Sequence, residues 1–270
     1  YIYENIFFNL FGGQVFRYIL SRVFINFRRL FFYKITTPNQ KKLLKDGYIC
    51  IENFLDEHDY NQVNIEFNSI LSNEKLDSFK DGDTLIQRKT INNINLYPNI
   101  KNKIIASQEI IGLLEVVEAR NYKVSDIWTD IVVNGDPGIA PDSQKELHTD
   151  NFYSTHKAWF FLDEVTLDHG PLNFCIQSHK FSIRRAIFEY IKSVSYKNKN
   201  YAWRVSKVWM RLLGITNTPM VCPKNSLIIA NTHGFHKRGD AVPGMKRRQI
   251  HFRLRFNPFY KPLKKDGDEI

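Results

Sequence analysis

The stretch Leu147-His148-Thr149-Asp150-Asn151 decides how the rest of the chain is interpreted. It places a histidine and a carboxylate two residues apart, and on an extended segment such residues point to the same face. Together with one more imidazole they would hold a divalent metal ion on one side and leave its other side open. A His-x-Asp pair alone is a weak signal, because it arises often by chance. The surrounding sequence has to supply the third ligand.

The candidate for the third ligand is His236, which follows an apolar strand and precedes Gly239. His233 is the alternative, but the spacing to Gly239 and to Arg247 favours His236. Two histidines and one carboxylate form the facial triad of non-haem Fe(II) oxygenases, so the set predicts an iron site. A hydrolytic zinc site would use the same ligands but would leave Arg247 without a role.

The composition is that of a folded protein with a sizeable core. The chain has 270 residues, 43% of them hydrophobic and 24% charged, which fits one large β-rich domain or two ordinary ones. The cysteines Cys50, Cys175 and Cys222 lack metal-ligand spacing, so we expect buried thiols in a reducing, cytoplasmic compartment. The net charge of +10 favours anionic partners. No nucleic-acid-binding motif accompanies this charge, so we expect no nucleic-acid partner.

Residues 1–35 form a basic amphipathic N-terminal segment, rich in Phe, Ile and Leu with arginines interspersed. Gly12-Gly13-Gln14 and the arginines interrupt the apolar run, which makes it a poor transmembrane span. Either a helix here packs its aromatic face on the main domain, or it lies on a membrane surface as a peripheral contact. We favour packing.

Residues 36–270 are expected to form a single domain with a helical insertion. Helices are predicted at 39–45, from Asp56 to about Leu71, and at 97–119 with an interruption at Gly112; 72–82 is predicted to be a polar loop. Strands are predicted at 48–51, 124–133, 158–165, 172–176, 226–230 and 248–256. Many short strands with turn signals indicate a sandwich or jelly roll. The insertion, from Phe181 to about Leu213, has helical periodicity and is strongly basic.

In this order, the motifs resemble those of the phytanoyl-CoA dioxygenase family of Fe(II)/2-oxoglutarate-dependent oxygenases. The resemblance covers roughly residues 41–256. It rests on Leu44-Lys-Asp-Gly-Tyr-Ile-Cys-Ile51, Asn53-Phe-Leu-Asp56, His148-Thr-Asp150, Phe161-Leu-Asp163-Glu-Val165, Asp168-His-Gly170-Pro-Leu172, Gln177-Ser-His-Lys180, Asn225-Ser-Leu-Ile-Ile229, His236-x-x-Gly239 and Arg247. Gln177 departs from the pattern, since the family has a glycine there.

The resemblance implies a fold that is mainly β with helical additions. Its core would be a double-stranded β-helix (jelly roll, cupin-like), with N-terminal helices and the insertion over the active-site mouth. His148, Asp150 and His236 match the iron ligands. Arg247 matches the arginine that holds the far carboxylate of 2-oxoglutarate; its neighbour Arg248 would point to the opposite sheet face, so only one of the two can serve. Trp159 is placed like an aromatic that borders the 2-oxoglutarate site in some members, with a plain core position as the equal alternative.

The activity implied is hydroxylation of a C–H bond in a small molecule, with O2 and 2-oxoglutarate consumed and succinate and CO2 released. Iron halogenases of this fold lack the carboxylate ligand, so Asp150 favours hydroxylation. The basic and aromatic insertion suggests an anionic or amphiphilic substrate, although a solvated basic face with aromatics packed inward explains the same residues. A non-catalytic membrane-surface or scaffold protein on this fold is the alternative function.

Overall fold

The computed structural model describes residues 6–135, 140, 142–195, 203–254 and 258–259. The α-helices are α1 (Ile6–Leu10), α2 (Gly13–Phe32), α3 (Pro38–Asp46), α4 (Glu57–Asn73), α5 (Gln108–Glu118), α6 (Ile183–Ser195) and α7 (Lys207–Leu213). A π-helix spans Ile100–Ile105, and short 3-10 turns span Ile94–Leu96 and Ser143–Lys145. The strands are β1 (Tyr48–Ile51), β2 (Asp77–Asp81), β3 (Thr84–Thr90), β4 (Asp126–Val133), β5 (His148–Thr149), β6 (His156–Phe161), β7 (Leu172–Phe174), β8 (Trp203–Arg204), β9 (Thr218–Met220), β10 (Ser226–Asn231), β11 (His236–Arg238) and β12 (Lys246–Leu254).

The strands form two antiparallel sheets. The large sheet has the order β1-β10-β6-β12-β4-β3-β2, and the small sheet has the order β8-β5-β11-β7-β9. Strands far apart in the sequence are therefore neighbours in space, as a double-stranded β-helix requires. The prediction of a mainly β jelly roll with helical additions is confirmed.

Residue alternation on the large sheet separates a helix-covered core from an inner face. Ile250 and Phe252 of β12 are fully buried and belong to the cluster formed with α4 and α5, including Phe67 and Leu114. Residues that alternate with them on the same strand, such as Gln249 and His251, point the other way and line a cavity. The period of two on a single strand thus supplies both the core and the cavity wall.

The insertion covers the outer face of the small sheet. Phe188 of α6 packs against Leu147 and Phe235, which flank β5 and β11, and Trp203 and Val205 join this cluster. We expected the insertion to lie over the mouth of the active site. None of its described residues lines the cavity between the two sheets. Residues 196–202 of the insertion lie outside the described residues.

The N-terminal helix α2 packs on the domain, but with the face opposite to the expected one. Its buried residues include Gln14, Arg17 and Ser21, whereas its phenylalanines are exposed. The expectation that the aromatic face would pack was therefore wrong. The reason is a set of buried polar partners on α6, which are distant in sequence. None of the described helices is long and apolar enough to cross a membrane.

Two other local predictions were wrong. The expected polar loop 72–82 contains β2, which pairs with β3 at the sheet edge. Its residues are almost all exposed, so burial imposed no alternating pattern on the sequence. The predicted helix 97–119 breaks at Ala106 and Ser107, between the π-helix and α5, and not at Gly112. Gly112 is an ordinary helical residue whose carbonyl accepts a hydrogen bond from Gln40 (3.0 Å).

The helical layer predicts a clear contrast between two isoleucines. Ile100 has no solvent-exposed surface and sits in the main core, whereas Ile65 on α4 is 62% exposed. We expect Ile100→Ala to lower the free energy of unfolding by about 2–5 kcal/mol, because it leaves a cavity. Ile65→Ala should change it by less than about 0.5 kcal/mol. Urea denaturation measures both, and equal effects would contradict this packing.

Candidate active site

Backbone pairing in the small sheet places two histidines side by side. His148 of β5 lies directly opposite His236 of β11, and their rings are 4.5 Å apart between centroids. Asp150 follows β5, where its backbone N–H donates a hydrogen bond to the carbonyl of Thr232 (3.0 Å). The paired strands β5 and β11, with the residue just after β5, thus bring three side chains together.

The three side chains have the geometry of a metal site. The carboxylate oxygen Oδ1 of Asp150 is 3.7 Å from Nε2 of His148 and 3.7 Å from Nε2 of His236. One ligand atom from each of the three lies within 4.8 Å of the others. Nδ1 of His148 contacts the carbonyl of Glu146 (2.7 Å), and Nδ1 of His236 contacts that of Gly234 (2.9 Å). A carbonyl only accepts, so both Nδ1 atoms carry the proton and both Nε2 atoms keep a lone pair for a metal.

The charges of the three groups also suit a divalent cation. Burial lowers the pKa of His148 to about 3, and burial likewise lowers the pKa of His236, so both imidazoles are neutral at pH 7. Burial opposes ionisation of Asp150, but Lys157 and the two imidazoles outweigh it and hold the pKa of that carboxyl well below its usual range. Nζ of Lys157 is 2.7 Å from Oδ2 of Asp150. Two neutral imidazoles and one carboxylate are the donor set that non-haem iron prefers.

His233 is not part of this cluster. Its ring is fully buried, its Nδ1 contacts the carbonyl of Asn151 (2.8 Å), and the ring lies 5.3 Å from that of Tyr18 on α2. The structure therefore brings His236, and not His233, to His148 and Asp150.

A cavity of about 270 Å³ separates the histidines from the inner face of the large sheet. The small sheet contributes His148 and His236, and the large sheet contributes Trp159, Arg247 and Gln249. Trp159 is partly buried and stacks on His251, with centroids 5.2 Å apart and rings 11° from parallel. It both borders the cavity and packs in the sheet, and its place beside 2-oxoglutarate stays a prediction.

Arg247 is a buried cation that has no carboxylate partner among the described residues. It is 6% exposed, and its guanidinium donates to the carbonyls of His169 (2.9 Å) and Gly170 and to Oε1 of Gln249 (3.2 Å). No carboxylate lies within ion-pair distance of it in the part of the chain that the structure describes. Burial lowers the pKa of Arg247 to about 9, so the group is still charged at pH 7. A carboxylate from outside would balance this charge and could pair with the guanidinium bidentately.

Two motif glycines hold the carbonyls that orient Arg247. Gly170 has a φ of +63°, and a Cβ there would lie 2.9 Å from the carbonyl oxygen of Gly239. Gly239 donates its backbone N–H to the carbonyl of Pro171 (2.7 Å), and a Cβ at Gly239 would lie 2.5 Å from Nδ2 of Asn173. The close approach of these two loops needs glycine on both sides.

Arg248 points away from the cavity, as strand alternation predicts. Its guanidinium pairs with Asp163 (2.7 Å) and donates to Asn64 (3.1 Å) and Asn68 (2.9 Å) on α4. Of the two neighbouring arginines, Arg247 alone lines the cavity.

Sequence reasoning identified neither Lys157 nor His251 as a candidate site residue. Both line the cavity. Burial lowers the pKa of His251 to about 4, even though its Nδ1 lies 3.8 Å from Asp130. Lys157 stands two residues before Trp159, and His251 stands four after Arg247. Extending the period of two from each predicted site residue would have found both.

Residues 43–203 match the family model described as Phytanoyl-CoA dioxygenase (PhyH). The chain belongs to this family. A comparison with curated proteins gave no match. The family assignment confirms the resemblance inferred from the motifs.

Solved structures of the same fold are similar over most of the chain. The epimerase SnoN in complex with Fe3+, alpha ketoglutarate and nogalamycin RO has a TM-score of 0.59 at 13% identity, over 79% of this chain and 80% of that one. HygX from Streptomyces hygroscopicus with nickel and 2-oxoglutarate bound has a TM-score of 0.52 at 13% identity, over 82% and 87%. Apo EctD from S. alaskensis has a TM-score of 0.55 at 10% identity, over 81% and 76%. At these identities the similarity shows the fold. SnoN and HygX were solved with a metal ion and 2-oxoglutarate bound, and the His-Asp-His cluster of this PhyH-family chain could itself hold a metal ion.

Because His236 belongs to the cluster and His233 does not, only substitution of His236 should weaken metal binding. We expect His236→Ala to weaken Co(II) binding by more than about a hundredfold. Removing a residue that only supports a metal ligand already lowers metal affinity about 10–100-fold, and removing the ligand itself costs more. His233→Ala should bind Co(II) as the wild type does. The visible absorption of Co(II) in titrations of folded protein, checked by circular dichroism, measures this. Loss of binding in His233→Ala alone would contradict the ligand assignment.

The unpaired charge of Arg247 predicts a loss of function without a loss of stability. We expect Arg247→Met to weaken 2-oxoglutarate binding at least about tenfold, since charge-assisted hydrogen bonds contribute ~1.5–3 kcal/mol. The unliganded variant should be as stable as the wild type or more stable, because a desolvated charge is removed.

Arg248→Met on the same strand is the matched control for this change. It breaks the ion pair with Asp163 but should leave 2-oxoglutarate affinity unchanged. Calorimetric titration and urea denaturation separate the two effects. Equal losses of affinity in the two variants would refute the assignment of Arg247.

Proposed function

We propose that this protein is an Fe(II)- and 2-oxoglutarate-dependent dioxygenase that hydroxylates a C–H bond of a small anionic or amphiphilic molecule. The observation that carries the proposal is the convergence of His148, Asp150, His236 and Arg247 on one cavity. A non-catalytic scaffold would have no need for a buried, unbalanced arginine facing a complete metal-ligand set. The assembled site therefore favours an enzyme over the scaffold alternative.

Each residue has a defined task in this proposal. Nε2 of His148, Nε2 of His236 and the carboxylate of Asp150 would hold the iron on one face. Lys157 balances the Oδ2 atom of Asp150, which leaves Oδ1 directed between the histidines. Arg247 would bind the far carboxylate of 2-oxoglutarate, with Trp159 bordering that site. When bound, iron and 2-oxoglutarate together supply activation of O2 for a two-electron oxidation of the substrate.

The reaction that we propose is hydroxylation. One C–H bond becomes C–OH, one oxygen atom of O2 enters the product, and the other enters succinate as 2-oxoglutarate loses CO2. Structures of this fold include the epimerase SnoN and the carbocyclase SnoK, so the fold serves several outcomes. Iron halogenases of this fold lack the carboxylate ligand, so a metal ion held here would have Asp150 as a ligand, which supports oxygen transfer.

The lining of the cavity supports an anionic group on the substrate. Among the described residues, six cationic side chains line it against two acidic ones, Asp81 and Asp130. The cations are Arg88, Lys157, Lys237, Arg238, Arg247 and Arg253. Arg88 pairs with Asp130 (2.6 Å), whereas the acid beside Lys237 is the exposed Asp240 at 3.9 Å. Lys237 is therefore a cation in the lining that a substrate anion can reach and pair with.

The test is turnover with candidate acids, phosphates and acyl thioesters, each paired with a neutral ester or amide. We expect succinate formation coupled to a product that gains one oxygen atom, and a preference for the anionic member of each pair. Lys237→Gln should raise KM for that member at least about fivefold, while basal 2-oxoglutarate consumption without substrate stays unchanged.

Lys246→Gln, an exposed lysine outside the cavity lining, is the matched control and should leave KM unchanged. Preference for the neutral members would refute the anionic substrate. Absence of 2-oxoglutarate consumption by iron-loaded protein under all conditions would refute the oxygenase proposal itself.

A further inference from the structure

The helix α2 exposes its apolar side and buries its polar side. Gln14, Arg17, Tyr18 and Ser21 face the domain, all at most 9% exposed. The outward side carries a continuous row of large apolar side chains, each at least 55% exposed: Phe16, Val23, Phe27, Leu30, Phe31 and Phe32. A helix that only completed a core would have the reverse orientation.

Buried polar contacts fix this orientation. Nε2 of Gln14 donates to Glu189 (2.8 Å), and Glu189 also pairs with Arg185 (2.9 Å); both partners on α6 are at most 2% exposed. The guanidinium of Arg17 lies 4.1 Å from the ring centroid of Phe152. Arg29, farther along α2, donates to the carbonyls of Val116 (3.1 Å) and Val117 (2.7 Å). Rolling the helix to bury its phenylalanines would take Gln14 away from the buried carboxylate of Glu189 and break the bonds of Arg29, so the orientation is stable.

The apolar surface extends beyond α2 to its neighbours. The hydroxyl of Tyr190 on α6 donates to the carbonyl of Leu10 on α1 (3.2 Å), which joins the two helices at this surface. We define the outer apolar face as the exposed apolar side chains of α1, α2, α6 and α7: Ile6, Phe7, Phe8, Leu10, Phe16, Ile19, Val23, Phe24, Phe27, Leu30, Phe31, Phe32, Ile183, Ile187, Tyr190, Ile191, Val208 and Leu212. These four helices contact one another, α1 with α2 and α6, α2 with α6, and α6 with α7. Large exposed apolar side chains grouped on neighbouring elements in this way mark an interaction surface.

The charge around this face indicates what covers it. Residues 6–35, 180–195 and 203–213 contain one acidic residue, Glu189, and it is fully buried. Exposed basic side chains in the same segments are Lys34, Lys180, Arg184, Lys207 and Arg211. A second copy of the chain would bring the same positive charges to the contact and repel the first. An anionic lipid surface matches both the apolar side chains and the cations.

We propose that the outer apolar face docks the protein on an anionic membrane surface. The α2 helix lies in the plane of the interface, with its phenylalanines at the boundary between head groups and acyl chains. The basic side chains contact the lipid phosphates and carboxylates. Two signals, apolar insertion and charge, together give stable attachment where one alone is weak. This proposal does not depend on the chemistry of the cavity.

The experiment is co-sedimentation of the full chain with vesicles of phosphatidylcholine alone or with about a third of phosphatidylserine. The wild type should bind the anionic vesicles. The triple variant Phe16→Gln, Val23→Gln, Leu30→Gln should bind at least about tenfold more weakly, because three buried apolar side chains are lost from the interface. These positions are seven residues apart, lie on the exposed side of α2, and make none of the polar contacts that orient the helix.

The matched control is Ile65→Gln, Leu96→Gln, Leu167→Gln, three residues 61–67% exposed and outside the outer apolar face. It should bind as the wild type does. Equal binding by the wild type and the first triple variant, or no binding of the wild type to anionic vesicles, overturns the proposal. Concentration-dependent self-association that the first variant abolishes, without vesicle binding, would show that a second copy covers the face and would also overturn it.

Discussion

The site depends on one register, the pairing of His148 with His236 across β5 and β11. Side chains alternate between sheet faces, so a slip of one residue would send one imidazole to the opposite side. The strands are too short to fix this register by themselves. Apolar residues on the other face do so, because Leu147 and Phe235 must meet Phe188 of α6. The helices of the insertion therefore secure the geometry of a site whose cavity they do not line.

The second constraint on the site is electrostatic. Arg247 is oriented by carbonyls and an amide, and those neutral partners cannot balance its charge. Arg88 and Arg253 on the same inner sheet face each have a carboxylate partner, so they do not share the imbalance of Arg247. A site prepared for an anion in this way is less stable when empty than an apolar core would be. That cost is typical of binding sites that are organised before the ligand arrives.

The placement of the ligand cluster and Arg247 around one cavity could be predicted. Local spacing, strand alternation and the order of the motifs can all be determined from the sequence alone. The same alternation correctly sent Arg248 to the helical side. The β2 edge strand could not be predicted, since solvent on both faces leaves no alternating pattern. Which side of α2 is buried could not be predicted either. It depends on Glu189, which is buried on α6 and whose contact with Gln14 spans 175 residues of sequence.

This long-range contact bears on how the chain is made. During synthesis from the N-terminus, α2 leaves the ribosome well before α6, which carries its polar partners, has been translated. In that interval neither side of the helix has its final neighbour, and contacts of high sequence separation form late. The nascent segment is then an exposed amphipathic helix, open to capture by chaperones. A chain that ended before α6 would keep the apolar side chains of α2 but would lack the buried carboxylate of Glu189, which orients the helix.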